Sequence, residues 1–454
     1  MDRTGRHISN DTLTALCDEF QKNNQIDPQK FEKYDVKRGL RNADGSGVMA
    51  GLTLICNVHG YVLNEGERAP VEGRLTYRGY DINELVEGCT AEQRFGFEEI
   101  AWLLLFGKLP TRTQLEKFRE LLSGYRELPE FFAEDMIIKA PSPNIMNKLA
   151  RSVLALYSYD DIPDDLSMEN VLRQSIELIA RMPTIMAYAY QVKRHHYDRE
   201  SMVVHPLVEG LSTSETILRT IRADTNYTED EARLLDLCLM LHAEHGGGNN
   251  STFAARVLSS SGTDTYSAMG AAIGALKGPR HGGANIKVMQ MLDCIKAGVK
   301  DWGNDEEICR FLLRLVNKQE GDRSGLIYGM GHAVYTLSDP RAVILKKYAV
   351  KLAQEKGYGD EFRLLEAVER LTPGVMAEVK GASKVMCANV DMYSGLVYRS
   401  LGIHPDLFTP LFAVARMPGW CAHRIEEILT GGRIIRPAYK AVAHAQSYIP
   451  LNER

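Results

Sequence analysis

The sequence predicts a mainly α fold with a minor β-ribbon near residues 45–82. Three observations predict it: repeated helix-start signatures, apolar residues at helical spacing behind them, and short Pro/Gly connections with no fixed-period repeat. Taking the chain in order, residues 45–82 mix Thr, Val, Ile and Tyr with Gly, which suits a small ribbon. Thr90-x-x-Gln93 then reads as a capping box, in which each side chain satisfies a backbone donor of the first turn. Phe97, Ile100, Ala101, Leu104 and Leu105 share one face behind it, and Gly107 with Pro110 closes the segment. Thr111-x-x-Gln114 opens the next helix, with Leu115, Phe118, Leu121 and Leu122 as its stripe. The same pattern recurs at Ser212-x-x-Glu215, Thr228-x-x-Glu231 and Asn304-x-x-Glu307. Residues 266–277 carry Ala268, Gly270, Ala271, Ala272, Gly274 and Ala275, a surface that a neighbouring backbone could approach closely, in the core or at a subunit interface.

At 454 residues the chain is long enough for about three domains. With 44% apolar and 25% charged residues, wholesale disorder and fibrous repeats are excluded. A formal charge of −5 gives no general attraction for nucleic acid or an anionic membrane. Eight Cys occur without a C-x-x-C pair, which argues against a zinc ribbon or a thioredoxin-like site and suits reduced thiols in the cytoplasm. No apolar run approaches the ~18 residues needed to span a bilayer. Met1-Asp2-Arg3-Thr4 does not read as a signal region. The expected location is therefore cytoplasmic.

Phosphate-binding motifs are absent, and Gly45-x-Gly47-x-x-x-Gly51 misses the dinucleotide spacing by one residue. The 12 histidines carry more. Leu234, Leu235, Cys238, Leu241, His242 and His245 share one helical stripe that stops at Gly246-Gly247-Gly248, so both histidines sit at the inward C-terminal end of a buried helix. A core role and a ligand role are both open to them. A metal role would need Glu244, which points to another face. His281 lies in Gly278-Pro279-Arg280-His281-Gly282 before a helix that begins near Ala284. At a helix N-terminus the dipole opposes protonation, and a neutral imidazole there can donate to a carbonyl becoming an enolate. His332 follows Gly329-Met330-Gly331 in a glycine loop. Asp339 can then N-cap a helix with Pro340 at its first position. That puts Arg341 in the first turn, against the dipole, where either solvent or a bound anion would compensate it. Asp391, between Val390 and Met392, is either an N-cap or a buried acid raised toward the pKa of a useful base. Arg416 follows Leu411-Phe412-Ala413-Val414-Ala415, a charge on an apolar helix.

Together these segments resemble citrate synthase of the type that adds acetyl-CoA to the si face of oxaloacetate. The motifs are Leu241-His-Ala-Glu-His245-Gly-Gly-Gly-Asn249, Gly278-Pro-Arg-His281-Gly, Gly329-Met-Gly-His332-Ala-Val with Asp339-Pro-Arg341, and Asn389-Val-Asp391-Met-Tyr-Ser-Gly395. Matching stretches run from Gly73 to Pro437 in the family's order. The resemblance implies a helical homodimer with an N-terminal extension over 1–65, a large domain over 66–282 and 397–454, and a small domain over 283–396. It implies that Asp391 abstracts a proton from the acetyl methyl group, His281 holds the enol oxygen, and His332 protonates the oxaloacetate carbonyl. His245, Asn249, Arg341 and Arg416 would hold oxaloacetate, with Arg436 reaching in from the partner subunit. CoA would lie along Leu326, Ile327, Tyr328, Gly329, Met330 and Gly331. The position four after His332, often basic in the family, is Thr336, which leaves Lys380, Lys384 and Arg280 as candidates for the CoA phosphates. Neither metal nor cofactor is implied, since acetyl-CoA is a substrate.

Two other readings are open. The run from His332 to Arg341 also resembles 2-methylcitrate synthases, which use propionyl-CoA, and one methylene is worth only about 1–3 kcal/mol of discrimination. A helical binding or assembly protein that keeps the architecture without the chemistry is the third reading.

Overall fold

Where the sequence marks a helix start with a reciprocal cap, the chain turns helical. Thr111/Gln114, Ser212/Glu215 and Thr228/Glu231 each form both halves of the capping box. In this computed structural model, residues 10–64, 67–381 and 385–454 are described. They divide into two compact units, 1–51 and 52–454. The first unit holds α1 (Asn10–Asn23) and α2 (Gln29–Lys33), and Leu13, Leu16 and Phe20 lie exposed along α1.

The second unit opens with a three-stranded antiparallel sheet: β1 (Cys56–Asn64), β2 (Glu67–Tyr77) and the short β3 (Tyr80–Asp81). Cys56 pairs with Tyr77 at the base of the hairpin, and the register shifts between His59 and Tyr61. Helices follow: α3 (Ile82–Ala91), α4 (Phe97–Phe106), α5 (Arg112–Gly124), α6 (Ile145–Leu156), α7 (Met168–Lys193) and α8 (Thr213–Ile221). The site is built from those that come next: α9 (Glu229–His242), α10 (Asn250–Ser259), α11 (Thr265–Lys277) and α12 (Ala284–Gly298). The chain ends with α13 (Asp305–Val316), α14 (Pro340–Glu355), α15 (Gly359–Lys380), α16 (Asp391–Ser400) and α17 (Phe408–Leu429), then a largely irregular tail. The fold is mainly α with one small sheet, as the sequence predicts. Among the described residues, no helix is long and apolar enough to cross a membrane.

Helix α17 is the axis of the core. Arg416, Trp420, Cys421, His423 and Arg424 on it are almost wholly buried, and it packs on α4, α7, α9, α10 and α11. A helix buried on all sides has no solvent to hydrate its polar groups, so each must find a partner inside. Of the small residues of α11, Ala268, Gly270 and Ala272 are buried, and a Cβ at Gly270 would stand 3.1 Å from Leu154 of α6, whereas Gly274 is exposed.

Two sequence expectations are corrected. Thr90 and Gln93 form no capping box: α3 runs on to Ala91, the Thr90 hydroxyl donates back to the Val86 carbonyl, and Gln93 turns left-handed at φ 50°. Gly96 is the N-cap of α4 instead, and the Asp236 carboxylate accepts from its N–H and that of Phe97. Asn304 does cap α13, but Glu307 reaches back to the N–H groups of Lys300 and Asp301, where the preceding loop offers nearer donors. Ser212→Ala should therefore destabilise the fold by about 1–2 kcal/mol. Thr90→Ala, on the exposed side of α3, should stay within about 0.5 kcal/mol. Chemical denaturation of the two variants measures the difference.

Candidate active site

Arg416 is 0% exposed, and among the described residues no carboxylate is bonded to it. Its Nε donates to the His242 carbonyl at 2.6 Å, and its guanidinium lies over the Phe412 ring at 4.7 Å. Nη1 and Nη2 are both buried without a hydrogen-bond partner. Burial holds the group below its ordinary pKa, and Glu244 works in the opposite direction. A buried guanidinium with two idle donor nitrogens costs several kcal/mol until an anion meets it.

Arg341 corrects a third expectation. Placed against the dipole of α14, it was expected to need solvent or a bound anion. The chain's own Asp339 supplies the charge, accepting from Nε at 3.1 Å and Nη2 at 2.7 Å, with both side chains buried. Asp339 also caps α14 through the Arg341 N–H. One carboxylate thus serves as cap and counter-ion, because the guanidinium folds back over the turn that the cap closes.

Three histidines converge beside these arginines. His245 lies just past the end of α9, its ring 5.0 Å from that of His332 and perpendicular to it. Burial first, then Arg341, pushes His245 well below the usual imidazole range, so the ring is neutral. His332 Nδ1 accepts the N–H groups of Val334 and Tyr335, each at 3.1 Å. In the neutral ring the proton is then on Nε2. His281 sits in the turn between α11 and α12, with Nε2 3.0 Å from the Ser251 hydroxyl. Ser251 is itself fixed by Trp420, whose Nε1–H donates at 3.2 Å, and by Asn249 Oδ1 at 2.9 Å. Burial, then Arg416, lowers His281 to about 4.

Asp391 is the first residue of α16, with Val390 as N-cap. Its N–H donates to Asn389 Oδ1, and Asn389 Nδ2 donates to the Gly331 carbonyl at 2.9 Å. Two backbone bonds add to this: Gly331 N–H to Cys387 O and Asn389 N–H to Gly329 O, both 2.8 Å. The loop before His332 is therefore stitched to the start of α16. Gly329 and Gly331 take φ of 82° and 89° there, and a Cβ at Gly329 would stand 2.9 Å from Met392 Cα. Burial raises Asp391 to about 6, with Arg341 and Arg416 opposing the shift.

Among the CoA candidates, Leu326 is exposed, Ile327 is buried, and Tyr328 donates to Asp322 at 2.6 Å. Met330 bridges to Ala388, and Arg280 is exposed. Lys380 is the last residue of α15, and Lys384 lies outside the described residues. Arg436 is exposed on the tail after α17 and does not join the buried arginines. Nor do three His, Cys, Asp or Glu side chains cluster as a metal site among the described residues. Several residues here escaped sequence reasoning: Ser251, Tyr335, and the buried pair Glu244–His423, 3.0 Å apart, to which Arg256 is bonded in turn. Ser251 meets His281, and Glu244 meets His423, across long stretches of chain, while Tyr335 stacks on His332 three residues away only because the loop between them folds back, and a local pattern carries no signal of either.

The citrate synthase C-terminal domain model matches residues 44–438. The chain belongs to the citrate synthase family. It is 36% identical over 393 residues to a citrate synthase of Synechocystis sp., covering 84% of this chain and 89% of that one. A 2-methylcitrate synthase of Shewanella oneidensis is 33% identical over 383 residues, covering 84% and 92%. Among solved structures, citrate synthase of Thermoplasma acidophilum, in complex with carboxymethyl coenzyme A and oxaloacetate, superposes with a TM-score of 0.74 at 28% identity, covering 92% and 99%. The family is one of acyltransferases.

The raised pKa of Asp391 has a consequence for stability. An acid whose pKa is higher folded than unfolded costs stability once pH rises from its unfolded value near 3.8 through about 6, and the cost is relieved below that window. Asp391→Asn should therefore stabilise the protein by about 1–3 kcal/mol at pH 8 and leave it unchanged near pH 4. Denaturation at the two pH values checks this.

Proposed function

We propose that the protein condenses acetyl-CoA with oxaloacetate and hydrolyses the resulting citryl-CoA to citrate and CoA. The observation that carries this reading is Arg416: two buried guanidinium nitrogens without partners, beside Arg341 and three histidines, suit a small dicarboxylate. In this reading oxaloacetate lies against His245, Asn249, Arg341 and Arg416. Asp391 takes a proton from the acetyl methyl group, and His281 donates a hydrogen bond to the thioester oxygen as it becomes an enol. A neutral His281 has a single N–H, which serves that task from Nδ1 when the Ser251 hydroxyl donates to Nε2. The enol carbon attacks the oxaloacetate carbonyl carbon, and His332 Nε2–H supplies the proton to its oxygen. Water then cleaves the thioester and releases the CoA thiol. Positioning and charge stabilisation supply most of the rate.

The resemblance of the His332–Arg341 run and the Shewanella relative keep propionyl-CoA as a second acyl donor. Free-thiol release from each acyl-CoA with oxaloacetate tests both readings. Release with acetyl-CoA should fall as pH drops through about 6, the range in which Asp391 protonates. Release faster with propionyl-CoA would move the assignment to 2-methylcitrate synthase, and release with neither would favour a non-catalytic role.

The remaining assignments extend this reading. CoA would lie along 326–331, and Lys380, Lys384 and Arg280 remain the candidates for its phosphates. Residues 283–396 would act as a small domain closing on 66–282 and 397–454. Arg436 would complete the carboxylate site of a second subunit, which its exposure on the irregular tail supports. Refolding inactive Asp391→Ala and Arg436→Ala chains together tests the trans arrangement. Half the dimers would be mixed and carry one intact site in two, so about a quarter of wild-type activity should return. Mixed dimers that stay inactive would place Arg436 in its own subunit's site.

A further inference from the structure

The β1–β2 hairpin touches the site at both ends. At its base, the Tyr77 hydroxyl lies 3.2, 3.3 and 3.1 Å from the carbonyl oxygens of Met240, Leu241 and Glu244, holding the end of α9 from which His245 projects. Toward its tip, two glycines face the loop that carries His332. A Cβ at Gly60 would stand 2.8 Å from the Val334 carbonyl oxygen and 3.1 Å from Tyr335 Cδ1. One at Gly73 would stand 2.1 Å from the Ser338 carbonyl oxygen and 2.8 Å from Tyr335 Cδ1. Neither glycine has a positive φ, so the demand is for space. The Gly73 N–H also donates to the Ser338 hydroxyl at 3.1 Å, and that hydroxyl donates to Glu72.

Tyr335 fills the gap between the hairpin and the imidazoles. It is 1% exposed, and its ring stacks on His332 with centroids 4.6 Å apart and planes 26° from parallel. The ring of His245 lies 5.6 Å away at 69°. The Tyr335 hydroxyl is buried without a partner, so the hydroxyl does not explain the residue. The flat ring does. The second side-chain torsion of histidine has broad wells, so the plane of an imidazole must be set by its neighbours.

We propose that Tyr335 is a positioning residue for His332, wedged against Gly60 and Gly73 so that its ring fixes the plane in which His332 presents Nε2. This rests on the reading of His332 as the donor to the oxaloacetate carbonyl. A misplacement of about 1 Å at such a donor costs on the order of 100-fold in rate.

The test compares Y335F, Y335L and G60A with wild type. Y335F, which keeps the ring, should keep wild-type kcat. Y335L and G60A should lose roughly 10- to 100-fold in kcat while the oxaloacetate KM holds, because the dianion is gripped elsewhere. In protein labelled with 13C-histidine, the His332 signal, identified by its loss in H332N, should be single and sharp in wild type and Y335F. It should broaden or split in Y335L and G60A. If thermal melts show either variant unfolded, Y335M, which fills the volume without a flat face, is read in its place. Wild-type kcat in Y335L, an equal loss in Y335F, or an unchanged His332 signal would each overturn the proposal. Wild type that releases no thiol from either acyl-CoA would instead overturn the functional reading, and the histidine signal alone would then judge the positioning role.

Discussion

A guanidinium held in the middle of the core is the constraint on which the rest of the site depends. Arg416 acts electrostatically on His242, His245, His281, Asp391 and Arg341, and in each case it disfavours a further positive charge or favours a negative one. Neutral histidines beside a buried cation follow from this arrangement. So does the balance at Asp391, where burial pushes the pKa up and two arginines restrain it. The cost of the idle Arg416 nitrogens is met by the packing of α17 against seven other helices, α4, α6, α7, α9, α10, α11 and α12. Such a site is organised before its ligand arrives, which is the condition for electrostatic stabilisation without reorganisation.

Two buried acids near Arg416 are balanced within the chain. Asp339 neutralises Arg341, and Glu244 meets His423, whose other nitrogen accepts from Arg256. Arg256 is bonded in turn to Glu426 and Glu427. Glu244 can come so close to α17 because Gly419 has no side chain: a Cβ there would stand 2.3 Å from the carboxylate. Breaking one partner of such a pair strands the other, so these networks make the local geometry stiff. Against that background, the two unbonded nitrogens of Arg416 are a feature of the site.

The pieces of the site come from widely separated parts of the chain, and the contacts that join them are mostly backbone-mediated. The loop of Gly329–His332 is tied to residues 387–389 through N–H and carbonyl groups, and the hairpin is tied to the end of α9 through one tyrosine hydroxyl. Backbone bonds of this kind tolerate side-chain change around them while holding their spacing. They explain how a glycine-rich loop, with little intrinsic preference of its own, comes to present an imidazole in one orientation.

Much of this was legible in the sequence. Capping boxes at Thr111, Ser212 and Thr228, the apolar stripes behind them and the glycine loops around His281 and His332 are local features, governed by interactions a few residues apart. Local rules also placed Asp339 and Pro340 at the start of α14 and His242 at the end of α9. The same rules failed at Thr90, where tertiary packing carried α3 past the expected start, and they could not say what would neutralise Arg341. Only the tertiary structure decided which nitrogens are left without partners, which tautomer His332 holds, and that Tyr335 and Ser251 stand against the two histidines. The reason is physical: caps and amphipathic faces are set by sequence neighbours, whereas desolvation, charge balance and ring orientation depend on groups that meet only when distant segments pack together.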